Sequence, residues 1–193
     1  ETPIKSYREM IESLDSSIGS ILEELKNIGQ LNNTLIVFFS DNGLWEKVDF
    51  ISSNKPLKQY KGTLWEGGIL QKCLFFWPTK IKKGKSLERV HVTDIAPTIS
   101  NLLELSFPER DGKSLHNIIF DSGAFEERAI FQRRNNQLSI HNSNWKLIYA
   151  DDQYSLYNLD IDPYESNNLV ENRPEKFQEL RSEIEDWLKG IPE

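Results

Sequence analysis

The sequence predicts an α/β fold. Buried strands of a parallel type with flanking helices are expected over residues 1–120, and a small antiparallel sheet closed by a terminal helix over 121–193. Three observations carry this. Thr34–Phe39 and Cys73–Trp77 are apolar runs without polar alternation, the pattern of strands covered on both faces. A long stretch of helical period precedes the first run. Near residue 125 the pattern changes to short strand-like pieces separated by polar turns.

The elements follow in order. Met10, Ile11, Leu14, Ile18, Ile21, Leu22 and Leu25 recur every three or four residues and predict one amphipathic helix. Ser6 followed by Glu9 fits a capping box at its start, and Gly29 fits its stop. Asn32-Asn33 makes a turn into the first strand, which Ser40-Asp41-Asn42-Gly43 ends abruptly. Residues 44–63 lack periodicity and read as a long loop, a place where function concentrates. Cys73–Trp77 is the second strand, and Cys73 is expected to be buried in it like a small apolar group. Pro78 and the lysine-rich stretch to Lys85 form a surface turn. Thr93–Leu105 is a helix with Thr93 as N-cap and Asp94 beside it. Ala129–Phe131, Leu138–His141, Trp145–Tyr149 and Ser155–Asn158 are the short strands, with Trp145 and Tyr157 as core aromatics. The closing helix starts near Pro174, shows one apolar face through Phe177, Leu180, Ile184, Trp187 and Leu188, and stops at Gly190.

Composition excludes several classes. With 38% hydrophobic and 11% aromatic residues the chain can build a core, so disorder is excluded as its main state. No apolar run approaches the ~20 residues of a membrane helix. The single Cys excludes an internal disulfide and a Cys-rich zinc site. A net charge of −7 argues against general nucleic-acid binding. That charge is uneven: residues 46–90 carry a net +6 and residues 151–193 a net −8, so a basic middle could face an anionic substrate. The chain begins at Glu1 rather than Met and shows no leader pattern, as expected of a mature product or a piece of a longer chain.

Two places could carry chemistry. Asp41-Asn42 sets a carboxylate beside an amide oxygen at the carboxyl end of a strand, where open parallel sheets bind ligands. Such oxygens suit Ca²⁺ or Mg²⁺, and Asp-Asn-Gly is equally good turn chemistry, so both readings stay open. Asn54 to Thr63, running into Trp65-Glu66-Gly67-Gly68, places Lys61 among glycines. A lysine held there could bind an oxyanion, or the segment could be a flexible basic loop. His91, His116 and His141 show no metal-ligand spacing and read as structural or surface residues.

An ordered series of motifs narrows these alternatives. It comprises Leu14-Asp15, Ile18-Gly19, Asn33-Thr34, Ser40-Asp41-Asn42-Gly43, Asn54 to Thr63 and Trp65-Glu66-Gly67-Gly68. Trp77-Pro78, Thr93-Asp94-Ile95-Ala96-Pro97-Thr98, Asp111-Gly112 and Ser114-Leu115 follow, then Trp145-Lys146-Leu147-Ile148, Leu156-Tyr157-Asn158-Leu159 and Asp162-Pro163-Tyr164-Glu165. In this order the chain resembles the C-terminal part of a type I sulfatase of the alkaline phosphatase superfamily. The resemblance implies the C-terminal portion of that superfamily's parallel-sheet domain over 1–120 and the small C-terminal subdomain over 121–193. It implies sulfate-ester hydrolysis, with Asp41 and Asn42 as ligands of a divalent cation, usually Ca²⁺ and alternatively Mg²⁺, and Lys61 on the sulfate. Asn42 stands where phosphodiesterase-like relatives carry His, which argues against a phosphoester or phosphonate hydrolase.

The resemblance also implies partners: a sulfated small molecule or glycan, and an N-terminal sulfatase portion. That portion would bring the formylglycine nucleophile, made from Cys or Ser in a Cys/Ser-x-Pro-x-Arg motif, and the remaining ligands. The motif does not occur in this sequence, and Cys73, followed by Leu74-Phe75-Phe76, does not match it. Two ligands fall short of the six to eight oxygens Ca²⁺ takes, so this chain alone is expected to bind the ion weakly and to show no turnover. Leu70-Gln71-Lys72 and His141 depart from the family pattern, which bears on substrate contacts. The alternative from another class is a non-catalytic chain that binds a partner or a sulfated glycan. By resemblance, the compartment is periplasmic, extracellular or lysosomal.

Overall fold

A computed structural model describes residues 3–48, 53–106, 108, 112–121, 123 and 125–191. Asp111, the first residue of the Asp111-Gly112 motif, lies outside the described residues, as do four residues of the 44–63 loop. The chain divides into two compact units, Glu1–Phe39 with Cys73–Phe125 and Ser40–Lys72 with Glu126–Glu193. The sequence division at 120/121 follows chain order. The units follow contacts, and residues 40–72 go with the C-terminal sheet.

In the first unit, α1 spans Pro3–Asn27. It already includes Ser6 and Glu9, so the capping box expected there is corrected to helix interior. Its end matches the expectation: Gly29 has φ 69°, Gly29 N donates to Lys26 O at 3.0 Å, and Gln30 N donates to Leu25 O at 2.8 Å. This is the paired closure of a helix by a left-handed glycine. The apolar stripe of α1 contains no buried residue, and Met10 is 69% exposed.

β1 (Ile36–Phe39) pairs with β2 (Cys73–Phe76) in antiparallel register, Ile36 opposite Phe76 and Phe39 opposite Cys73. The unbroken apolar runs suggested a parallel arrangement covered on both faces. The described partner strand runs antiparallel, and Phe38 and Leu74 are 48% and 56% exposed. Cys73 is likewise exposed rather than buried, although partial desolvation still raises its thiol pKa above the ordinary value. An apolar run records affinity for cover, and among the described residues that cover is partial: Ile36, Val37 and Phe75 are half-buried while Phe38 and Leu74 are exposed. Trp77 Nε1 and Thr79 Oγ1 both donate to Asn32 O, at 2.9 and 2.8 Å, tying the exit of β2 to the turn before β1.

Further on, α2 is the short turn Glu66–Ile69 of the second unit, and α3 spans Ile95–Leu102 in the first. A tight turn, Val92–Asp94, precedes α3, and its cap is His91 rather than Thr93. Asp94 is buried there, its Oδ2 accepting from His91 N at 2.7 Å and its Oδ1 from Lys113 N at 2.8 Å. Gly112 is required here, because a Cβ would run into the Thr93 carbonyl oxygen.

In the second unit, β3 (Ile130–Arg134), β4 (Gln137–Asn142), β5 (Trp145–Ala150) and β6 (Gln153–Asn158) form an antiparallel meander in chain order. The expected short sheet is present, with strands one or two residues longer. Both faces are covered. Ile140, Leu147 and Leu156 pack against Leu180 and Ile184 of α4 (Pro174–Lys189), while Ile148, Ala150 and Tyr157 pack with Leu64 and Leu159. Neighbouring residues Leu147 and Ile148 therefore serve opposite cores, which explains the absence of polar alternation in β5. Aromatic contacts seat α4: Phe131 stacks on Trp187 at 5.1 Å, and Tyr154 meets Phe177 edge-on at 5.2 Å. Trp145 packs half-buried at the same core and Tyr157 is buried, as expected of core aromatics.

Candidate functional site

Asp41, Asn42 and Lys61 all belong to the second unit, and the structure joins their backbones. Asp41 is exposed and Asn42 half-buried in the bend after β1, where Ser40 Oγ donates to Asn42 O at 3.0 Å. The next residue locks the bend. Gly43 is buried and its N–H donates to Gly68 O at 2.9 Å. A Cβ at Gly43 would collide with the Gly67 carbonyl oxygen, so only glycine permits this approach. One residue further, Leu44 O accepts from Lys61 N at 2.8 Å. The Asp41-Asn42 turn is thus clasped between the lysine loop and α2.

The lysine loop is a built structure rather than a flexible basic segment. Asn54 Nδ2 donates to Gln59 O at 2.6 Å and to Gly67 O at 2.7 Å, closing the loop across its base. Gly67 N donates to Lys58 O at 2.9 Å, and Thr63 Oγ1 donates to Tyr60 O at 2.9 Å. Gly62 has φ 99°, a conformation that favours glycine, and the Arg134 guanidinium lies against it. The Lys61 side chain projects from this frame, exposed and without a carboxylate partner among the described residues. No carboxylate of the described residues pairs with its ammonium, which leaves it suited to an oxyanion.

Beneath the loop lies a set of buried charges that sequence reasoning did not single out. Lys146 on β5 is 1% exposed, and its Nζ lies 2.7 Å from Glu66 Oε1 and 2.8 Å from Glu165 Oε1. The first contact is an aligned hydrogen bond; the second is an ion pair without that alignment. Glu165 Oε2 accepts from Glu66 N at 2.8 Å. Lys58 Nζ donates to Glu165 O at 2.9 Å and to Tyr157 Oη at 3.0 Å, and lies over the Tyr157 ring. Burial raises the Glu165 pKa above the usual carboxylate range, against the opposing pull of Lys146 and the Glu66 N–H. A signal was present in the sequence: Lys146 takes an inward position of an otherwise apolar strand, where a lone charge demands a buried partner.

The other candidates have plain roles. Asp15 is exposed on α1. Asp162 closes a turn by accepting from Ser166 N and Asn167 N at 3.0 and 2.8 Å. His91 caps the turn before α3, and His116 lies 3.6 Å from Asp121. As a cation site, Asp41 and Asn42 offer two hard oxygen donors at an accessible turn, which suits a Ca²⁺ or Mg²⁺ ion as part of a larger donor set. Among the described residues no group of three or more His, Cys, Asp or Glu gathers to complete one. No helix of the described residues is long and apolar enough to cross a membrane.

Comparison with known proteins adds to this geometry. The family model described as Sulfatase matches residues 2–105, more than half of the chain. A protein named Sulfatase from Formosa agariphila is 29% identical over 219 aligned residues, covering 94% of this chain and 39% of that protein. N-acetylgalactosamine-6-O-sulfatase from Bacteroides thetaiotaomicron is 27% identical, with 92% and 40% covered. Among solved structures, Ps i-CgsB in complex with k-i-k-neocarrahexaose superposes with a TM-score of 0.81 at 29% identity, covering 97% of this chain and 44% of that one. The chain spans about two-fifths of the length of these curated relatives.

Proposed function

The chain belongs to the sulfatase family, and from that premise we propose that it carries the cation-and-lysine side of a site that hydrolyses sulfate esters in the intact enzyme. The observation that carries this reading is the clasp: Gly43 N on Gly68 O and Lys61 N on Leu44 O hold two oxygen donors and one exposed lysine on adjoining backbone. Hydrolysis breaks the bond between sulfur and the ester oxygen, so negative charge grows on that oxygen while the sulfate oxygens stay charged. The Lys61 ammonium offsets the sulfate charge, and because its loop is fixed beforehand, little reorganisation is needed as the reaction proceeds. Asp41 and Asn42 would hold a divalent cation, with Ca²⁺ the favoured ion for hard oxygen donors, and it would supply Lewis-acid charge at the same group. The nucleophile and the other ligands would come from an N-terminal sulfatase portion.

A sulfated sugar is the substrate class we favour, supported by the name of the Bacteroides relative and by the oligosaccharide bound in Ps i-CgsB. The amide of Asn42 suits one hard cation, which favours a sulfate over a phosphate monoester. A compartment outside the cytosol is part of the same proposal. The test is aryl sulfate hydrolysis by the intact enzyme. Lys61→Ala should lower kcat/KM by about 100-fold or more, and Asp41→Ala should do so with loss of bound metal. Lys61→Ala activity within about twofold of the parent would end the assignment. Faster hydrolysis of an aryl phosphate than of the sulfate would favour the phosphoester alternative instead.

A further inference from the structure

We propose that Lys146 is a positioning residue: its pairing with Glu66 and Glu165 inside the second unit fixes α2, and through α2 the Asp41-Asn42 turn and the Lys61 loop. The proposal rests on the reading of those three residues as site residues. Each link is a specific contact. Lys146, 1% exposed, meets Glu66 at 2.7 Å and Glu165 at 2.8 Å. Glu66 opens α2, and its own N–H is held by Glu165 Oε2 at 2.8 Å. The next residue, Gly67, donates to Lys58 O and accepts from Asn54, gripping the start and the middle of the lysine loop. Gly68 O then receives Gly43 N, the residue after Asn42.

Glycine packing makes this chain of contacts stiff. A Cβ on Gly43, Gly67 or Gly68 would collide with backbone oxygen, so α2 sits against the turn and the loop with no slack. The anchor is also balanced in charge: two carboxylates face Lys146, and Lys58 adds a second cation on the Glu165 carbonyl. A buried ion group of this kind is weak evidence for stability, and fixing one geometry is its better-supported use. β5 lies in a sheet packed on α4, so the rigid core of the second unit sets where the loop stands. A site group displaced by about 1 Å can lose two orders of magnitude in rate, so this anchoring bears on catalysis without touching substrate.

The experiment uses the intact enzyme with Lys146→Met, together with the charge-free triple variant Lys146→Met/Glu66→Gln/Glu165→Gln. The triple removes all three fully buried charges, leaving the half-buried Lys58 on its carbonyl and phenol acceptors, and is the deciding protein if the single variant does not fold. Aryl sulfate kinetics and amide hydrogen exchange are read side by side. The expected result is a fall in kcat/KM of about 100-fold, with faster exchange at the Gly43, Lys61 and Gly67 amides and unchanged protection in β4 and α4. The proposal is overturned if those three amides keep their protection, or if protection falls evenly across the whole unit, the mark of a merely structural role. Lys61→Ala is measured alongside. If that variant stays active the role of Lys61 on the sulfate fails by itself, and the exchange data still decide whether Lys146 positions the loop.

Discussion

Gly43 shows how one missing side chain holds the candidate site together. Its hydrogen position points at the Gly67 carbonyl, and its N–H is spent on Gly68 O. Gly43→Ala should therefore cost about 1–3 kcal/mol of stability through overpacking, and it should also displace Asp41 and Asn42. Gly19 is the control, because a Cβ there meets nothing within 4 Å. Gly19→Ala, inside α1, should stabilise by about 0.5–1 kcal/mol. Urea midpoints of the two variants check both signs. Glu165 gives a second prediction at this scale. Its pKa is raised above 4.5, chiefly by burial, so the folded state keeps a proton that the unfolded state has lost. Stability from this group is full below about pH 4.5 and falls as pH rises through the raised value. Glu165→Gln should lack that decline. The difference in urea midpoint between variant and parent, followed from pH 4.5 to 7, is the measurement, and a flat difference would refute the assignment.

At the scale of elements, α4 and α1 make opposite use of the same helical pattern. α4 buries Leu180 and Ile184 against Ile140, Leu147 and Leu156. Leu180→Ala should cost about 2–5 kcal/mol, the range for emptying a well-packed core position, read as a shift in urea midpoint with little change in aryl sulfate KM. α1 has a stripe as regular as that of α4, yet none of its residues is buried. The helical period announced both helices, because period depends only on spacing. It did not announce which stripe is covered, because cover depends on other elements. The same holds for β1 and β2, whose apolar runs read as doubly covered strands while Phe38 and Leu74 stand half-exposed. β3–β6 were legible for a complementary reason: short strands joined by tight turns pair with their sequence neighbours, so pairing follows chain order.

At the scale of the whole molecule, the chain supplies two oxygen donors and one lysine of the candidate site. Among the described residues no further His, Cys, Asp or Glu gathers into a metal-holding group. Ca²⁺ takes six to eight oxygens, so this chain by itself should bind the ion more weakly than micromolar. Titration calorimetry checks this, and micromolar affinity would mean that donors outside the proposed pair complete the site. The helices α1, α3 and α4, the short meander, the Asp41, Asn42 and Lys61 candidates, and the motif order that places the chain among the sulfatases are all legible along the chain. Those are matters of local period and of residue type in sequence. Folding in three dimensions is what puts residues 40–72 with the C-terminal sheet, and what brings Glu66 to Lys146 across 80 residues and to Glu165 across 99. Such pairings are set by how faces pack, and neither periodicity nor spacing encodes which buried charge will find which.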